Sequence, residues 1–211
     1  MLTVYHLRMS QSERIVWLCE ELGLDYELKL YDRRADNRLA PDSYKQLHPM
    51  GIAPVIEDNG QMLGESGAIV EYIDAIHGGG KLSLDSDHPD FADHLFWLHF
   101  SNGTMMATAI AGLVLQGGEG ENPRADFIAD RMKKCSHLIE HRLGEAEFFG
   151  GSQLTTADIM MVFCLTTGRH FSGQSLDNMP DTRAYLQRIG ARAAYRKAME
   201  KAEPGLEPNL T

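Results

Sequence analysis

The first 78 residues alternate between strand-like and helix-like patterns, and this order leaves few folds open. Leu2 to His6 is rich in β-branched and aromatic residues and predicts a short strand. Glu13 to Leu22 has apolar residues at helical spacing, and Gly23 follows as a stop signal. Tyr26 to Tyr31 alternates apolar and charged residues, which predicts a second strand. Because a helix joins these two strands, we expect them to run parallel with a right-handed crossover.

The next segment predicts an antiparallel hairpin and a further helix. Asn59-Gly60 lies between two short apolar runs, residues 54–57 and 61–64, and this dipeptide is typical of a tight hairpin turn. A short helix is expected near Ser43 to Leu47, and Ser66 to His77 has helical spacing. The complete order is βαβαββα, which predicts a thioredoxin-like domain.

The remaining chain has a different character, because nearly every segment has a helical pattern. A stretch rich in glycine, proline and small polar residues separates the two parts. We therefore predict an α/β thioredoxin-like domain at residues 1–78, a linker at 79–89 and an all-α helical bundle domain at 90–211. The predicted helices of the second domain are 91–115, 125–143, 156–167, 182–190 and 191–202, with a glycine-rich break at 117–120.

Composition excludes several classes of protein. The chain has 20 Lys and Arg against 30 Asp and Glu, whereas nucleic-acid binders usually carry a basic face. No fully apolar run approaches the roughly 20 residues of a membrane-spanning helix, and no secretory signal is evident. The 3 cysteines form no paired motif, and the 9 histidines show no metal-ligand spacing. We expect a soluble cytoplasmic protein without a metal, a membrane or a nucleic acid as partner.

The segments His48-Pro-Met-Gly-Ile-Ala-Pro-Val-Ile and Gly64-Glu-Ser-Gly-Ala-Ile carry the most specific information. Together they resemble the cytosolic glutathione transferase superfamily, and 31–33 and 39–41 resemble its theta-related bacterial and fungal members. The resemblance implies that Pro54 is cis. It also implies that Ala53 pairs its backbone with the cysteinyl part of glutathione, as an added strand would.

The resemblance further implies how the two ends of glutathione bind. Glu65 would take the γ-glutamyl ammonium, and Ser66, as the N-cap of the next helix, would take the carboxylate with help from the helix dipole. Relatives often carry lysine or glutamine two positions before the cis proline, where it reaches the glycyl carboxylate. Ile52 occupies that position here and cannot do so. The candidates to replace it are His48, Lys45, Arg33 and Arg38.

Ser10 is the candidate for activating the thiol. It begins the pattern Ser10-Gln-Ser-Glu13, which also predicts a capping box for the first helix. Theta-like and delta-like members place their activating serine in this loop, where a hydroxyl and a helix N-terminus both favour thiolate over thiol. Ser12, Tyr5 and activation by the backbone alone remain open. No cysteine lies in this loop, which disfavours the classes that use one.

The electrophile is expected to bind between this loop and the first helix of the second domain. Met105 and Met106 have an alternative interpretation as core residues, because methionine commonly fills cores. The predicted pocket residues are Arg8, Met9, Trp97, Asn102, Met105 and Met106.

The second domain contains an independent family motif. Thr155 and Asp158 have the spacing of a capping box, with Leu154 and Ile159 placed to form a hydrophobic staple. Its role is structural, so neither Thr155 nor Asp158 is expected in the active site.

These observations predict that the protein is a glutathione transferase. The thiolate of bound glutathione would add to an electrophilic small molecule or reduce a peroxide. The resemblance implies glutathione as co-substrate and a homodimeric assembly. The alternative is a glutathione-binding regulatory or ligand-carrying protein on the same fold with little turnover, because fold alone does not establish activity.

Overall fold

The computed structural model describes residues 1–115 and 122–211. The first domain has four strands and three helices within this part of the chain. They are β1 (Leu2–Leu7), α1 (Glu13–Leu22), β2 (Glu27–Tyr31), α2 (Asp42–Lys45), β3 (Val55–Asp58), β4 (Gln61–Gly64) and α3 (Ser66–Ile73).

The sheet has the strand order β2-β1-β3-β4. β1 is parallel to β2, whereas β3 is antiparallel to both β1 and β4. The predicted hairpin turn has positive φ at both central residues, 50° at Asn59 and 84° at Gly60, as a type I′ turn requires. The predicted thioredoxin-like arrangement is therefore confirmed.

β1 is one of the two inner strands of the sheet, and all six of its residues are buried. Helices α1 and α3 cover one face of the sheet, where Val4 joins the main core. Tyr44 of α2 covers the other face with Tyr5 and Leu7. Because β1 is held on both sides, the loop that follows it begins from a fixed point.

The second domain is helical throughout its described elements. Its helix α7 is buried along its whole length, which fits its nearly continuous apolar sequence. α1 packs against both α7 and α10, so helices of both domains share one core. The elements are α4 (Phe91–Phe100), α5 (Ala107–Leu115), α6 (Pro123–Glu145), α7 (Thr156–Leu165), α8 (Arg169–Ser172), α9 (Pro180–Ala191) and α10 (Ala193–Ala202).

The structure refines several predicted boundaries. α3 continues into a π-helical turn at Asp74–Gly78, and a second π-helical turn, Ser101–Met106, joins α4 to α5. α8 is a single turn that the sequence pattern did not predict. The predicted break at 117–120 lies outside the described residues, and the boundaries at 78 and 89 stay predictions.

The run Phe91–Leu115 corrects one expectation. It is the one helical run among residues 1–115 and 122–211 that is long and apolar enough to cross a membrane, and an 18-residue window of it has a mean hydropathy of 1.2. Trp97, Leu98 and Phe100 of this run lie in the protein core. This segment is therefore more apolar than the sequence analysis indicated.

The predicted capping box of α7 is confirmed. The Thr155 hydroxyl accepts from the backbone of the first turn, and the Asp158 carboxylate accepts from Thr155 N at 2.9 Å. Asp158 also accepts from Phe149 N and from the Tyr185 hydroxyl, each at 2.9 Å. Leu154 and Ile159 are buried in the same core. The motif thus anchors a loop and two helices around one carboxylate.

Candidate functional site

A cavity of about 380 Å³ lies between the two domains. The first domain contributes the loops after β1 and β2 and the loop before β3, and the second contributes α5, the end of α7 and α8. The lining comprises Leu7, Met9, Ser10, Gln11, Arg33, Ala40, Gly51, Ala53, Met106, Ala109, Ile110, Leu113, Phe163, Gly168, Phe171 and Ser172.

Ser10 lies on the first-domain wall of this cavity with its hydroxyl in a local network. Its Oγ donates to Leu7 O at 2.7 Å and lies 2.8 Å from Ser12 Oγ. The backbone N–H of Ser12 donates to Ser10 Oγ at 3.2 Å. α1 begins at Glu13, and Ser12 rather than Ser10 occupies its N-cap without a side-chain cap bond. The predicted capping box is therefore replaced by a hydrogen-bonded turn just before the helix.

The other two candidate activators, Ser12 and Tyr5, do not line the cavity. Ser12 is fully buried, and its Oγ contacts His6 Nδ1 at 2.7 Å and Leu7 N at 3.1 Å. The hydroxyl of Tyr5 donates to Glu57 Oε2 at 2.8 Å. Burial, followed by this bond to Glu57, raises the pKa of Tyr5 to about 12. Of the three side chains, Ser10 alone lines the cavity.

Hydrogen bonds from Arg33 and to Glu203 hold the loop that carries Ser10 in place. Met9 has a φ of 54°, a conformation that non-glycine residues adopt rarely, and its N–H donates to the Glu203 carboxylate. Arg33 donates to the carbonyls of Arg8 at 2.9 Å and Met9 at 2.8 Å. Such over-determined loop geometry is common at functional sites.

The Ala53–Pro54 peptide bond is cis, as predicted. Ala53 lines the cavity just before β3 begins at Val55. Within residues 1–115 and 122–211, neither the N–H nor the carbonyl of Ala53 has a backbone partner. A donor and an acceptor on the cavity wall are thus available for pairing with a peptide-like ligand.

Ser66 is the first residue of α3, and Glu65 occupies the N-cap, so the predicted cap lies one residue earlier. Glu65 has a φ of 69° and a ψ of 111°, which turn the chain sharply from β4 into the helix. Its side chain is exposed, whereas Ser66 is buried. The first turn of α3 thus begins with the exposed carboxylate of Glu65 followed by the buried hydroxyl of Ser66.

The Ser66 hydroxyl connects both domains. Its oxygen accepts from Asn102 Nδ2 at 2.9 Å and from Arg14 Nη1 at 3.1 Å, and its proton points to Gln11 Oε1 at 3.4 Å. Gln11 lines the cavity, so this network reaches its wall. Asn102 lies on the π-helical turn between α4 and α5, which brings its amide to Ser66.

Arg14 is an unusual buried cation. Its side chain is almost wholly buried, and no carboxylate of the described residues lies within 4.0 Å of its guanidinium. Its Nη1 donates to Gln11, Asn102 and Ser66, and burial lowers its pKa. Buried charges are normally paired, so an anionic group bound near Ser66 would meet a favourable field.

The structure separates the predicted pocket residues into three groups. Met9 and Met106 line the cavity, and Asn102 lies beside it in the Ser66 network. Arg8 instead bonds Glu203, Asp32 and the Pro204 carbonyl. Trp97 and Met105 are each 3% exposed and lie in the core, which corrects their assignment to the pocket. Helical spacing alone did not reveal which stripe of this helix faces the cavity.

His48 and Ile52 both pack near Gly64 and do not line the cavity. His48 Nδ1 accepts from Met50 N at 3.2 Å. Lys45 pairs with Asp42 at the surface. Among the candidates for the glycyl carboxylate, Arg33 is the one that lines the cavity, and its guanidinium lies 5.8 Å from the Phe171 ring centroid.

The sequence did not single out several residues of the far wall. Ile110, Leu113, Phe163 and Phe171 give this wall an apolar surface. The sequence predicts Phe163 only as a residue of a buried helix. Phe171 lies on α8, a single turn without a periodic sequence pattern. Within the described residues, no group of His, Cys, Asp and Glu side chains is arranged to hold a metal.

Comparisons with known proteins cover both domains. A family model described as "Glutathione S-transferase, N-terminal domain" matches residues 1–75, and one described as "Glutathione S-transferase, C-terminal domain" matches residues 106–200. Glutathione S-transferase 3 of Schizosaccharomyces pombe is 30% identical over 219 residues, which cover 96% of this chain and 88% of that protein.

Solved structures show the same arrangement. A glutathione S-transferase from Actinobacillus pleuropneumoniae is 32% identical with a TM-score of 0.90, covering 98% of this chain and 95% of that one. A glutathione transferase homolog from Lodderomyces elongisporus, solved with two GSH per subunit, is 19% identical with a TM-score of 0.76. That alignment covers 95% of this chain and 98% of the homolog, and at this identity it shows the fold alone.

Proposed function

Because the chain belongs to the glutathione S-transferase family, we propose that it binds glutathione in the interdomain cavity and transfers the thiolate to an electrophilic small molecule. The observation that carries this proposal is the composition of one wall. A hydroxyl (Ser10), an unpaired backbone donor and acceptor (Ala53), and the link through Gln11 to Ser66 lie together there. The Ser10 hydroxyl would bind the thiol of glutathione, the backbone of Ala53 would bind its peptide backbone, and Ser66 would bind its carboxylate.

The γ-glutamyl carboxylate would bind at the start of α3. Two donors, on Asn102 and Arg14, already occupy the oxygen of the Ser66 hydroxyl, so its proton is free to turn toward a carboxylate. The bond to Gln11 that it would give up is long, at 3.4 Å. The first amides of α3, its dipole and the buried charge of Arg14 add attraction for an anion. Glu65, exposed at the N-cap, would take the neighbouring ammonium.

The cysteinyl part would pair with Ala53, which directs the thiol toward Ser10. A hydroxyl that donates to sulfur stabilises the thiolate more than the thiol, and the N-terminus of α1 acts in the same direction. The thiolate is then the nucleophile. The opposite wall, with Ile110, Phe163 and Phe171, favours an apolar electrophile.

The experiment that tests this function combines glutathione affinity with turnover. Retention on immobilised glutathione, together with conjugation of a panel of apolar electrophiles, is the expected result. Peroxide reduction belongs in the same panel as a second activity of the thiolate. Retention without turnover of any compound would instead favour a glutathione-binding regulatory or ligand-carrying protein. The homodimer, the cytoplasmic location and the theta-related subtype stay predictions.

Replacing Ser66 tests the γ-glutamyl site. We expect Ser66→Ala to weaken glutathione binding by about 1–3 kcal/mol, because a charged group loses one hydrogen bond. Isothermal titration calorimetry measures the dissociation constant directly. Ser136→Ala is a matched control, since it removes a half-buried hydroxyl from α6 that bonds Met132 O. An unchanged dissociation constant in Ser66→Ala would place the carboxylate elsewhere.

A further inference from the structure

A continuous chain of hydrogen bonds leads from Ser10 on the cavity wall into the protein core. Ser10 Oγ lies 2.8 Å from Ser12 Oγ, and Ser12 Oγ lies 2.7 Å from His6 Nδ1. His6 Nε2 lies 3.0 Å from Glu203 Oε1. The side chains of His6 and Glu203 are both fully buried. Glu203 follows α10, so the last residue of this hydrogen-bond series comes from the second domain.

The partners fix where the protons lie. A carboxylate only accepts, so the Nε2 of His6 must carry a proton and donate it to Glu203. In a neutral imidazole the Nδ1 is then an acceptor, and Ser12 donates its hydroxyl proton to it. Ser12 Oγ can in turn accept from Ser10 when the Ser10 proton turns to it from Leu7 O, because Ser10 Oγ lies 2.8 Å from Ser12 Oγ and 2.7 Å from Leu7 O. Every bond can therefore be oriented from the cavity toward Nδ1 of His6.

We propose that His6, paired with Glu203, is the acceptor of the glutathione thiol proton, which reaches it through the hydroxyls of Ser10 and Ser12. This inference rests on the proposed function. The S–H bond breaks and its proton binds Ser10 Oγ, the Ser10 proton moves to Ser12 Oγ, and the Ser12 proton moves to His6 Nδ1. The products are a thiolate that accepts from Ser10 and an imidazolium that donates to Ser12 and Glu203. One proton passes from glutathione to the protein, so the net charge of the complex is unchanged.

Glu203 is suited to support the imidazolium. Its Oε1 also accepts from Met9 N, and its Oε2 accepts from Arg8 Nε at 3.3 Å. Burial alone would raise the pKa of Glu203, but these bonds and the one from His6 together hold it below its ordinary value. The carboxylate is thus ionised at neutral pH, and its Oε1 lies 3.0 Å from Nε2 of His6, where it would be the counterion of an imidazolium.

The charged groups that the described part of the structure places near these hydrogen bonds include Arg8, Arg33 and Glu13. Arg8 forms an ion pair with Glu203, and Arg33 donates to the carbonyls of Arg8 and Met9. Glu13 on α1 is buried and accepts from the Thr167 hydroxyl at 2.7 Å. Burial raises the pKa of Glu13 to about 8, so it is largely neutral at pH 7 and does not compete as a counterion.

The direct test observes the imidazole in the unmodified protein. Nitrogen-15 NMR of histidine-labelled protein distinguishes an N–H from an unprotonated ring nitrogen, and His6→Phe assigns the signal. We expect Nδ1 of His6 to gain a proton when glutathione binds and to remain unprotonated with S-methylglutathione, which has no thiol proton. An Nδ1 that stays unprotonated while glutathione is bound as thiolate would overturn the relay.

A series of variants tests the proposed proton relay. The measured quantity is the pKa of the thiol of bound glutathione, followed through the ultraviolet absorbance of the thiolate. His6→Asn retains a hydrogen-bonding group near Nδ1 but has no basic nitrogen, and Ser12→Ala breaks the chain. We expect each to raise the bound thiol pKa by about one unit or more, because an imidazolium no longer stabilises the thiolate. Glu203→Gln should raise it as well. In a Ser10→Ala background, Ser12→Ala should add nothing further.

The controls separate this inference from the proposed function and from loss of stability. Thr182→Val removes a buried hydroxyl that donates to Glu140 and has no part in the hydrogen bonds between Ser10 and Glu203. This variant should therefore leave the pKa of the bound thiol unchanged. Glutathione that fails to bind the wild-type protein, or that binds with its thiol at the solution pKa, would overturn both proposals. A lowered thiol pKa that is the same in wild type, His6→Asn and Ser12→Ala would overturn the relay alone.

Discussion

Asp158→Ala is expected to lower the free energy of unfolding by about 3–5 kcal/mol, although the residue lies outside the cavity. The substitution leaves four buried donors without this acceptor: the N–H groups of Phe149 and Thr155 and the hydroxyls of Thr155 and Tyr185. Each unsatisfied buried group costs about 1–3 kcal/mol. Equilibrium urea unfolding measures this loss.

Asp130→Ala is the matched control for this prediction. Asp130 is exposed on α6 and pairs with Lys134 one turn later, so its removal should cost only about 0.3–0.5 kcal/mol. A loss below about 1 kcal/mol in Asp158→Ala would contradict the view that this carboxylate anchors α7.

Ser10→Ala is expected to raise the pKa of bound glutathione by about one to two units and to lower turnover near neutral pH. The hydroxyl donates to sulfur when the thiolate forms, and a hydrogen bond to a charged group contributes about 1.5–3 kcal/mol. Affinity for S-methylglutathione should change little, because that ligand has no thiolate. A pH profile of turnover and an absorbance titration of bound glutathione measure the two effects.

Ser10→Gly separates activation from backbone structure. Ser10 Oγ also accepts from Ser12 N, so part of any stability loss reflects the turn before α1. Both variants lack the hydroxyl, and we expect both to show the same raised thiol pKa whatever their melting temperatures. Wild-type pH profiles in both variants would assign activation to the backbone amides or to another side chain.

The features that the sequence predicted well depend on local signals. α1 was bounded by apolar spacing and by Gly23, which has a φ of 66° at the helix end. The hairpin followed from Asn59-Gly60, and the capping box of α7 from residues three apart. The cis bond at Pro54 came from the family resemblance and not from any physical pattern.

The features that the sequence missed depend on contacts between distant segments. Glu203 lies 197 residues from His6, and nothing around it indicated a buried carboxylate. Met105 lies four residues before the cavity residue Ala109, on the same stripe of a regular helix, yet it is buried in the core within the π-helical turn Ser101–Met106. Local periodicity does not specify which neighbour covers each face of a helix.

The most direct measurement is a crystal structure with glutathione bound. The account predicts the glutathione sulfur within hydrogen-bonding distance of Ser10 Oγ, its cysteinyl backbone paired with Ala53, and its γ-glutamyl carboxylate at the Ser66 hydroxyl and the first amides of α3. Glutathione bound outside this cavity, or with its sulfur closer to Tyr5 or Ser12 than to Ser10, would contradict it.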